Sequence, residues 1–194
     1  FLASGSTDKT IKIWDTKSWK CVQTLEVEGH AQWVCSVAWN SQGTLLASGS
    51  MDKTIKIWDT KTWTYIQTLE GHTNWVNSVM WNSTGMLASG SEDNTIKIWD
   101  SNTWKCIKTL EGHTNSVISV AWNFQGTKLA SGSMDETINI WDTKSWEWEC
   151  IHTLDGHISY VSSVAWNSQG TLLASGYWDN TIKIWDSKDS NTWK

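Results

Sequence analysis

Apolar and polar residues alternate along this chain in short stretches, and no segment sustains the three-to-four spacing of a helix. Trp75–Trp81 (WVNSVMW) reads as a half-buried strand, with apolar residues at alternate positions. Asn82-Ser83-Thr84-Gly85 is composed like a turn. Met86–Ser91 (MLASGS) reads as a second strand, and Glu92-Asp93-Asn94 turns the chain again. Thr95–Asp100 (TIKIWD), rich in β-branched residues, is a third strand. Ser101-Asn102 makes another turn before Trp104–Leu110 (WKCIKTL), the fourth strand. Short strands with regular turn signals predict an all-β protein.

This unit recurs. Ile-Trp-Asp occurs five times, with its tryptophan at positions 14, 58, 99, 141 and 185, at intervals of 44, 41, 42 and 44 residues. Gly-His occurs four times, ending at His30, His72, His113 and His157. A period of roughly 40–45 residues with these two signatures is that of four-stranded propeller blades.

Composition sharpens the picture. The 194 residues carry a net charge of −5, with 39% hydrophobic and 18% charged residues, as in an ordinary globular domain. No apolar run approaches the roughly 18 residues a membrane helix needs, and the N-terminus does not resemble a signal peptide. All fifteen basic residues are lysines, spread along the chain. Without arginine, the planar fork that grips phosphate and guanine is missing, which argues against nucleic acid and phosphopeptides as partners. Proline is absent and tryptophan occurs 18 times. Fifteen tryptophans recur by position. Five lie in the third strand, four end the first (Trp39, Trp81, Trp122, Trp166), and six lie near the start of the fourth (Trp19, Trp63, Trp104, Trp146, Trp148, Trp193). These are expected to pack between sheets. Trp33, Trp75 and Trp178 fall outside that scheme.

The run Gly71-His72, Val76-x-Ser78-Val79-x-Trp81, Leu87-Ala88-Ser89-Gly90-Ser91-x-Asp93-x-Thr95-Ile96-Lys97-Ile98-Trp99-Asp100 is similar to the WD-repeat family, and the likeness extends over essentially the whole chain. The resemblance implies a β-propeller of four-stranded antiparallel blades in one array. The blade parts fall near 1–25, 26–69, 70–110, 111–154 and 155–194. Three blades are expected to be complete and two incomplete, because the chain opens on a second strand and closes where a fourth begins. Further blades, from a longer parent or another copy, are expected to complete a larger ring. The family's usual first turn resembles Ser-Pro-Asp-Gly, whereas here it is Asn-Ser-Gln-Gly, Asn-Ser-Thr-Gly or Asn-Phe-Gln-Gly.

Each full unit repeats His, Ser and Asp at fixed offsets, which invites a Ser-His-Asp nucleophile. A catalytic triad is needed once, and this set occurs four times. The serine also lacks the sharp elbow of a nucleophile. The resemblance implies instead a structural hydrogen-bond chain with the third-strand Trp. Its members are His30, Ser48, Asp52 and Trp58; His72, Ser89, Asp93 and Trp99; His113, Ser131, Asp135 and Trp141; and His157, Ser175, Asp179 and Trp185. No catalytic residue, metal site or cofactor is expected. Cys21, Cys106 and Cys150 share one repeat position and Cys35 lies in a first strand, without zinc-ligand spacing. They are expected to be small buried hydrophobes, and free thiols fit a reducing, cytoplasmic compartment. The sequon Asn82-Ser83-Thr84 falls in a tight turn and is read as a chance match.

The resemblance also points to two variable positions per blade on the rim of the top face. One holds Trp33, Trp75, Ser116 and Tyr160; the other holds Thr7, Met51, Glu92, Met134 and Trp178. Trp, Tyr and Met are enriched at the centres of interfaces. The expected function is therefore a non-catalytic scaffold that binds a protein or peptide there. A carbohydrate-binding propeller and a purely architectural array are the alternatives.

Overall fold

The computed structural model describes residues 1–26, 29–144, 147–156 and 158–187. These residues form eighteen strands in five antiparallel sheets, with no helix. The first sheet has three strands, β1 (Leu2–Gly5), β2 (Ile11–Trp14) and β3 (Cys21–Leu25). Three four-stranded sheets follow. The second sheet is β4 (Val34–Trp39), β5 (Leu45–Ser50), β6 (Ile55–Asp59) and β7 (Tyr65–Leu69). The third is β8 (Val76–Trp81), β9 (Met86–Ser91), β10 (Ile96–Asp100) and β11 (Cys106–Leu110). The fourth is β12 (Val117–Trp122), β13 (Lys128–Ser133), β14 (Ile138–Asp142) and β15 (Cys150–Leu154). The last sheet has β16 (Val161–Trp166), β17 (Leu172–Tyr177) and β18 (Ile182–Asp186). Every strand pairs with its chain neighbour, and the inner strands β4, β8, β12 and β16 lie side by side.

Period-2 side-chain alternation assigns each blade two apolar faces. One face offers Ala and two Ile; the other offers Leu and the third-strand Trp. Ala47, Ile55 and Ile57 thus meet Val76, Val79, Leu87 and Trp99 of the next sheet. Ala88, Ile96 and Ile98 meet Val117, Val120, Leu129 and Trp141 by the same rule. The glycine of each second strand is where the next sheet's valine sits. A Cβ on Gly90 would lie 2.6 Å from Val117 Cγ1, and one on Gly132 would lie 2.5 Å from Val161 Cγ1. Serines of the inner strands tie the sheets together. Ser36 Oγ accepts from Val79 N at 3.1 Å, Ser78 Oγ from Val120 N at 3.2 Å, and Ser119 Oγ from Val164 N at 3.1 Å.

The fourth strand starts later than its sequence suggests. Trp104 has φ of +58° and belongs to the turn, so β11 begins at Cys106. Trp19, Trp63 and Trp148 share this conformation, with φ of 54–59°. Positive φ is strained for a bulky side chain. Two contacts hold it. The aspartate of Trp-Asp caps the turn: Asp59 Oδ1 accepts from Lys61 N and Thr62 N, and Asp100 Oδ1 from Asn102 N and Thr103 N. The indole then packs edge-on against the tryptophan that ends the first strand. Centroid distances are 5.9 Å for Trp63–Trp39, 6.4 Å for Trp104–Trp81 and 5.8 Å for Trp148–Trp122.

Trp19 departs from the expectation that every recurring tryptophan is packing. It is 69% exposed, because its sheet has no described inner strand to supply the partner indole. Trp146 and Trp193 lie outside the described residues. The outward faces of the two end sheets are also open. Leu2 is 50% exposed and Ile182 75%, while Leu87 and Ile96, at the corresponding positions inside the array, are at most 1%.

Candidate functional site

Strand polarity sorts the loops onto two edges. The Gly-His loops and the turns between second and third strands share one edge. On the other, the turns after the inner strands bond to those after the third strands: Thr60 N donates to Thr44 O, and Thr143 N to Thr127 O.

On the first edge, His72 Nδ1 lies 2.8 Å from Asp93 Oδ2 and its Nε2 lies 2.7 Å from Ser89 Oγ. Trp99 Nε1 donates to the same Oγ at 2.9 Å. His30, Asp52, Ser48 and Trp58 repeat the chain at 2.8, 2.7 and 3.0 Å. His113, Asp135, Ser131 and Trp141 do so at 2.8, 2.7 and 2.9 Å. In the last blade Trp185 Nε1 donates to Ser175 Oγ at 2.8 Å, and Asp179 caps its own turn through Thr181 N. His157 lies outside the described residues.

Proton positions follow from the partners. An ionised aspartate only accepts, so histidine Nδ1 carries the proton and Nε2 accepts from the serine hydroxyl. Burial opposes ionisation of Asp52, Asp93 and Asp135, and is outweighed by bonds from the histidine, from a threonine hydroxyl (Thr54, Thr95, Thr137) and from a backbone N–H. The net effect holds all three carboxyls far below the ordinary value of 3.8. The Ser-His-Asp order resembles a hydrolytic triad, but Ser48, Ser89 and Ser131 are fully buried, and each Oγ already accepts a tryptophan N–H. A substrate carbonyl has no approach to them.

Beside this chain, the two variable positions of each blade are bonded to each other. Met51 N donates to Trp33 O, Glu92 N to Trp75 O, Met134 N to Ser116 O and Trp178 N to Tyr160 O, at 2.9–3.2 Å. Each aspartate of the buried network therefore follows directly after a rim residue, and the rigid turn holds both. Trp33 is 46% exposed, Trp75 38%, Tyr160 44% and Trp178 74%. Thr7 is exposed as well, and Met51, Glu92 and Met134 are half-buried. Ser116 is buried, so its blade presents Met134 instead.

The cysteines correct a sequence expectation. Cys21, Cys35, Cys106 and Cys150 are all free and exposed, where burial had been expected. Three sit at the head of the outermost strands, the least covered part of each sheet. Cys21, Cys106 and Cys150 lie near a backbone carbonyl two residues on, at 3.3–3.4 Å. Among the described residues no group of three or more His, Cys, Asp or Glu could hold a metal ion. Asn82 of the sequon is 3% exposed, which places its amide out of reach of a glycan.

The profile of the family described as WD domain, G-beta repeat matches residues 1–15, 19–59, 63–100, 104–142 and 148–186. Curated relatives match over 40–46 residues, about the length of one repeat. A Lissencephaly-1 homolog of Branchiostoma floridae is 51% identical over 43 residues, 22% of this chain and 10% of its own. Nuclear distribution protein PAC1 of Mycosarcoma maydis is 48% identical over 46 residues, 24% of this chain and 10% of its own. A ribosome biogenesis protein BOP1 homolog of Dictyostelium discoideum is 55% identical over 40 residues, 21% of this chain and 4% of its own. The matched part thus spans no more than a tenth of these relatives' length. With its five repeats, the tryptophan–serine–histidine–aspartate chain complete in three of them, and the matching family profile, this chain belongs to the WD-repeat family.

Proposed function

We propose that the His–Asp edge of this array binds a protein or peptide through an apolar anchor, and that the chain acts as a non-catalytic scaffold. The observation that carries the reading is the exposure of Trp33, Trp75, Tyr160 and Trp178 on one edge. None of the four is among the side chains that form the cores between the sheets, and each keeps more than a third of its surface exposed. Exposed aromatics on a rigid frame lose little conformational entropy on binding and are typical anchors. The absence of arginine supports a partner other than nucleic acid. Sealed serine hydroxyls support a role without catalysis. No helix among the described residues is long and apolar enough to cross a membrane. Four free surface thiols fit an intracellular, cytoplasmic setting.

The open outward faces of the end sheets fit further blades of a parent chain or another copy of this one. They also support the architectural reading, in which the array mainly positions other domains.

The test is a peptide-display selection against the intact chain, repeated on the triple variant Trp33→Ala, Trp75→Ala, Trp178→Ala. Selected peptides should bind the parent at least tenfold more tightly, with unchanged thermal melts. Equal binding to both proteins would refute the placement. Hits on a glycan array without any selected peptide would favour the carbohydrate alternative.

A further inference from the structure

Charge is sorted between the two edges of the array, and the sorting bears on what the aromatic edge can hold. The loops of the His–Asp edge carry Glu26, Glu70, Glu92, Glu111, Glu136 and Asp155, all exposed except Glu92, which is half-buried. Lysine occurs in those loops only as Lys9 and Lys53, in the first two sheets. Among the described residues no lysine is ion-paired with any of the six carboxylates. The opposite edge is mixed, with Lys17, Lys20, Lys61, Lys105 and Lys144 beside the aspartates of its turns.

The imbalance is greatest at the fourth sheet. Elsewhere the second residue of the third strand is lysine: Lys12, Lys56, Lys97 and Lys183. The Lys97 chain lies beside Gly71, and Lys183 Nζ donates to Gly156 O, so these lysines bring positive charge under the Gly-His loops. The fourth sheet has Asn139 instead, 4% exposed and bonded to Thr153 Oγ1. Its loops hold Glu111 and Glu136, and Asp135 below the rim is kept ionised by its bonds.

The aromatic row is interrupted over this same sheet. Buried Ser116 stands where the sheets on either side have Trp75 and Tyr160. The inner strands β8, β12 and β16 lie side by side, so those two rings flank the fourth sheet. Glu92 is tied to the Trp75 blade by the bond from Glu92 N to Trp75 O at 2.9 Å. Its charge extends along the edge. Burial raises the Cys35 thiol, and the carboxylates of Glu92 and Asp52 raise it further, so their field is felt two residues after Trp33. The acidic groups are spread over several loops, and among the described residues no three of them gather closely enough to hold a metal ion. An extended cation matches them better than a point charge, and aromatic faces attract ammonium and guanidinium groups as well.

Resting on the reading that this edge is the binding surface, we propose that its partner is a basic peptide segment. An apolar residue would anchor on the exposed indoles, and a lysine or arginine would lie over the fourth sheet between Trp75 and Tyr160, facing Glu92, Glu111 and Glu136. The same charges repel an anionic partner, such as nucleic acid or an acidic lipid surface.

The test is fluorescence anisotropy with the intact chain and a labelled lysine–leucine hexapeptide, acetylated and amidated at its ends, beside glutamine–leucine and glutamate–leucine peptides of the same design. The lysine peptide should bind at least tenfold more tightly than the glutamine peptide, and the glutamate peptide most weakly. Raising the ionic strength from about 0.05 M to about 0.5 M should remove most of that preference, because the screening length shrinks about threefold. Glu92→Gln, Glu111→Gln and Glu136→Gln combined should cut the preference for lysine to less than threefold, with the glutamine peptide's affinity and the thermal melt unchanged. Glu147→Gln with Glu149→Gln removes two exposed charges from the opposite edge and should leave the preference intact. The triple tryptophan variant should weaken the lysine and glutamine peptides alike. Equal affinity of the parent for those two peptides, both weakened by the tryptophan substitutions, would overturn the basic partner while keeping this edge as the binding surface. Undiminished affinity of the tryptophan variant for every peptide would overturn both readings. No binding of the lysine peptide by the parent, or an equal loss of preference in the opposite-edge variant, would also overturn the proposal.

Discussion

Ser89→Ala tests the buried hydrogen-bond chain most directly. Ser89 is fully buried, and its Oγ both accepts from Trp99 Nε1 at 2.9 Å and lies 2.7 Å from His72 Nε2. Removing that oxygen leaves two buried polar atoms unpaired, since Trp99 is 2% exposed and His72 7%. Each orphan costs about 1–3 kcal/mol, so a loss of about 2–6 kcal/mol is expected. That is a large share of the roughly 5–15 kcal/mol of a typical domain. Ser4→Ala is the internal control. Ser4 occupies the same repeat position and accepts from Trp14 Nε1 at 2.9 Å, but both residues are half-buried and water can replace the bond. Its loss should stay below about 1 kcal/mol. Urea unfolding followed by tryptophan fluorescence gives both values, with the slope checked for constancy because repeat arrays can lose cooperativity. A Ser89→Ala loss under about 0.5 kcal/mol, the usual range for surface substitutions, would refute the account. So would equal losses in the two variants.

The same array yields other expectations. Gly90→Ala would drive a Cβ to 2.6 Å from Val117 Cγ1 and should cost about 1–3 kcal/mol, whereas Gly176→Ala meets nothing nearer than Ser162 Oγ at 3.7 Å and should melt like the parent. Trp148→Ala removes a buried indole packed on Trp122 and should lose about 3–5 kcal/mol; Trp19→Ala, at a site 69% exposed, should change the urea midpoint little. Asp52, Asp93 and Asp135 have folded pKa values below the ordinary 3.8, so the stability they contribute is complete above that pH and is lost as pH falls toward the folded values. The urea midpoint should therefore drop steeply below about pH 4, and Asp93→Asn should flatten that drop. His72→Ala should lower the melting temperature of its blade, read by hydrogen exchange in β9 and β10, and an unchanged melt would count against the network.

Much of the fold was legible because the repeat is written five times. Alternation marked the strands, Asn-x-x-Gly marked the turns, and the 41–44-residue spacing marked the blades. Residues at fixed offsets, such as His72, Ser89 and Asp93, advertised a structural duty by recurring. The rim residues Trp33, Trp75 and Trp178 stood out for the opposite reason, because they break the repeat. Other features carried no such signal. Asn82 looked like any other turn asparagine, although Met86 stands where the other turns have threonine and the buried Asn82 Nδ2 is left without a partner. Cysteine in a strand reads as buried from its type, yet Cys21, Cys106 and Cys150 are exposed at the heads of the outermost strands.

Sequence alone determined the number and order of the strands in each unit and which face of each is apolar, since both follow from local periodicity and turn chemistry; the largest change was at the start of the fourth strand, which moved from Trp104 to Cys106. Tertiary structure alone decided what each face meets. Trp19 and Trp148 hold the same backbone conformation, with φ of 54° in both, yet one is 69% exposed and the other 7%. Leu2 and Leu87 share one repeat position, and only Leu87 has a neighbouring sheet laid over it. Burial is a property of two surfaces, and the second surface comes from another strand or another blade. The chain's own pattern can offer an apolar face, but packing across those distances determines whether it is covered.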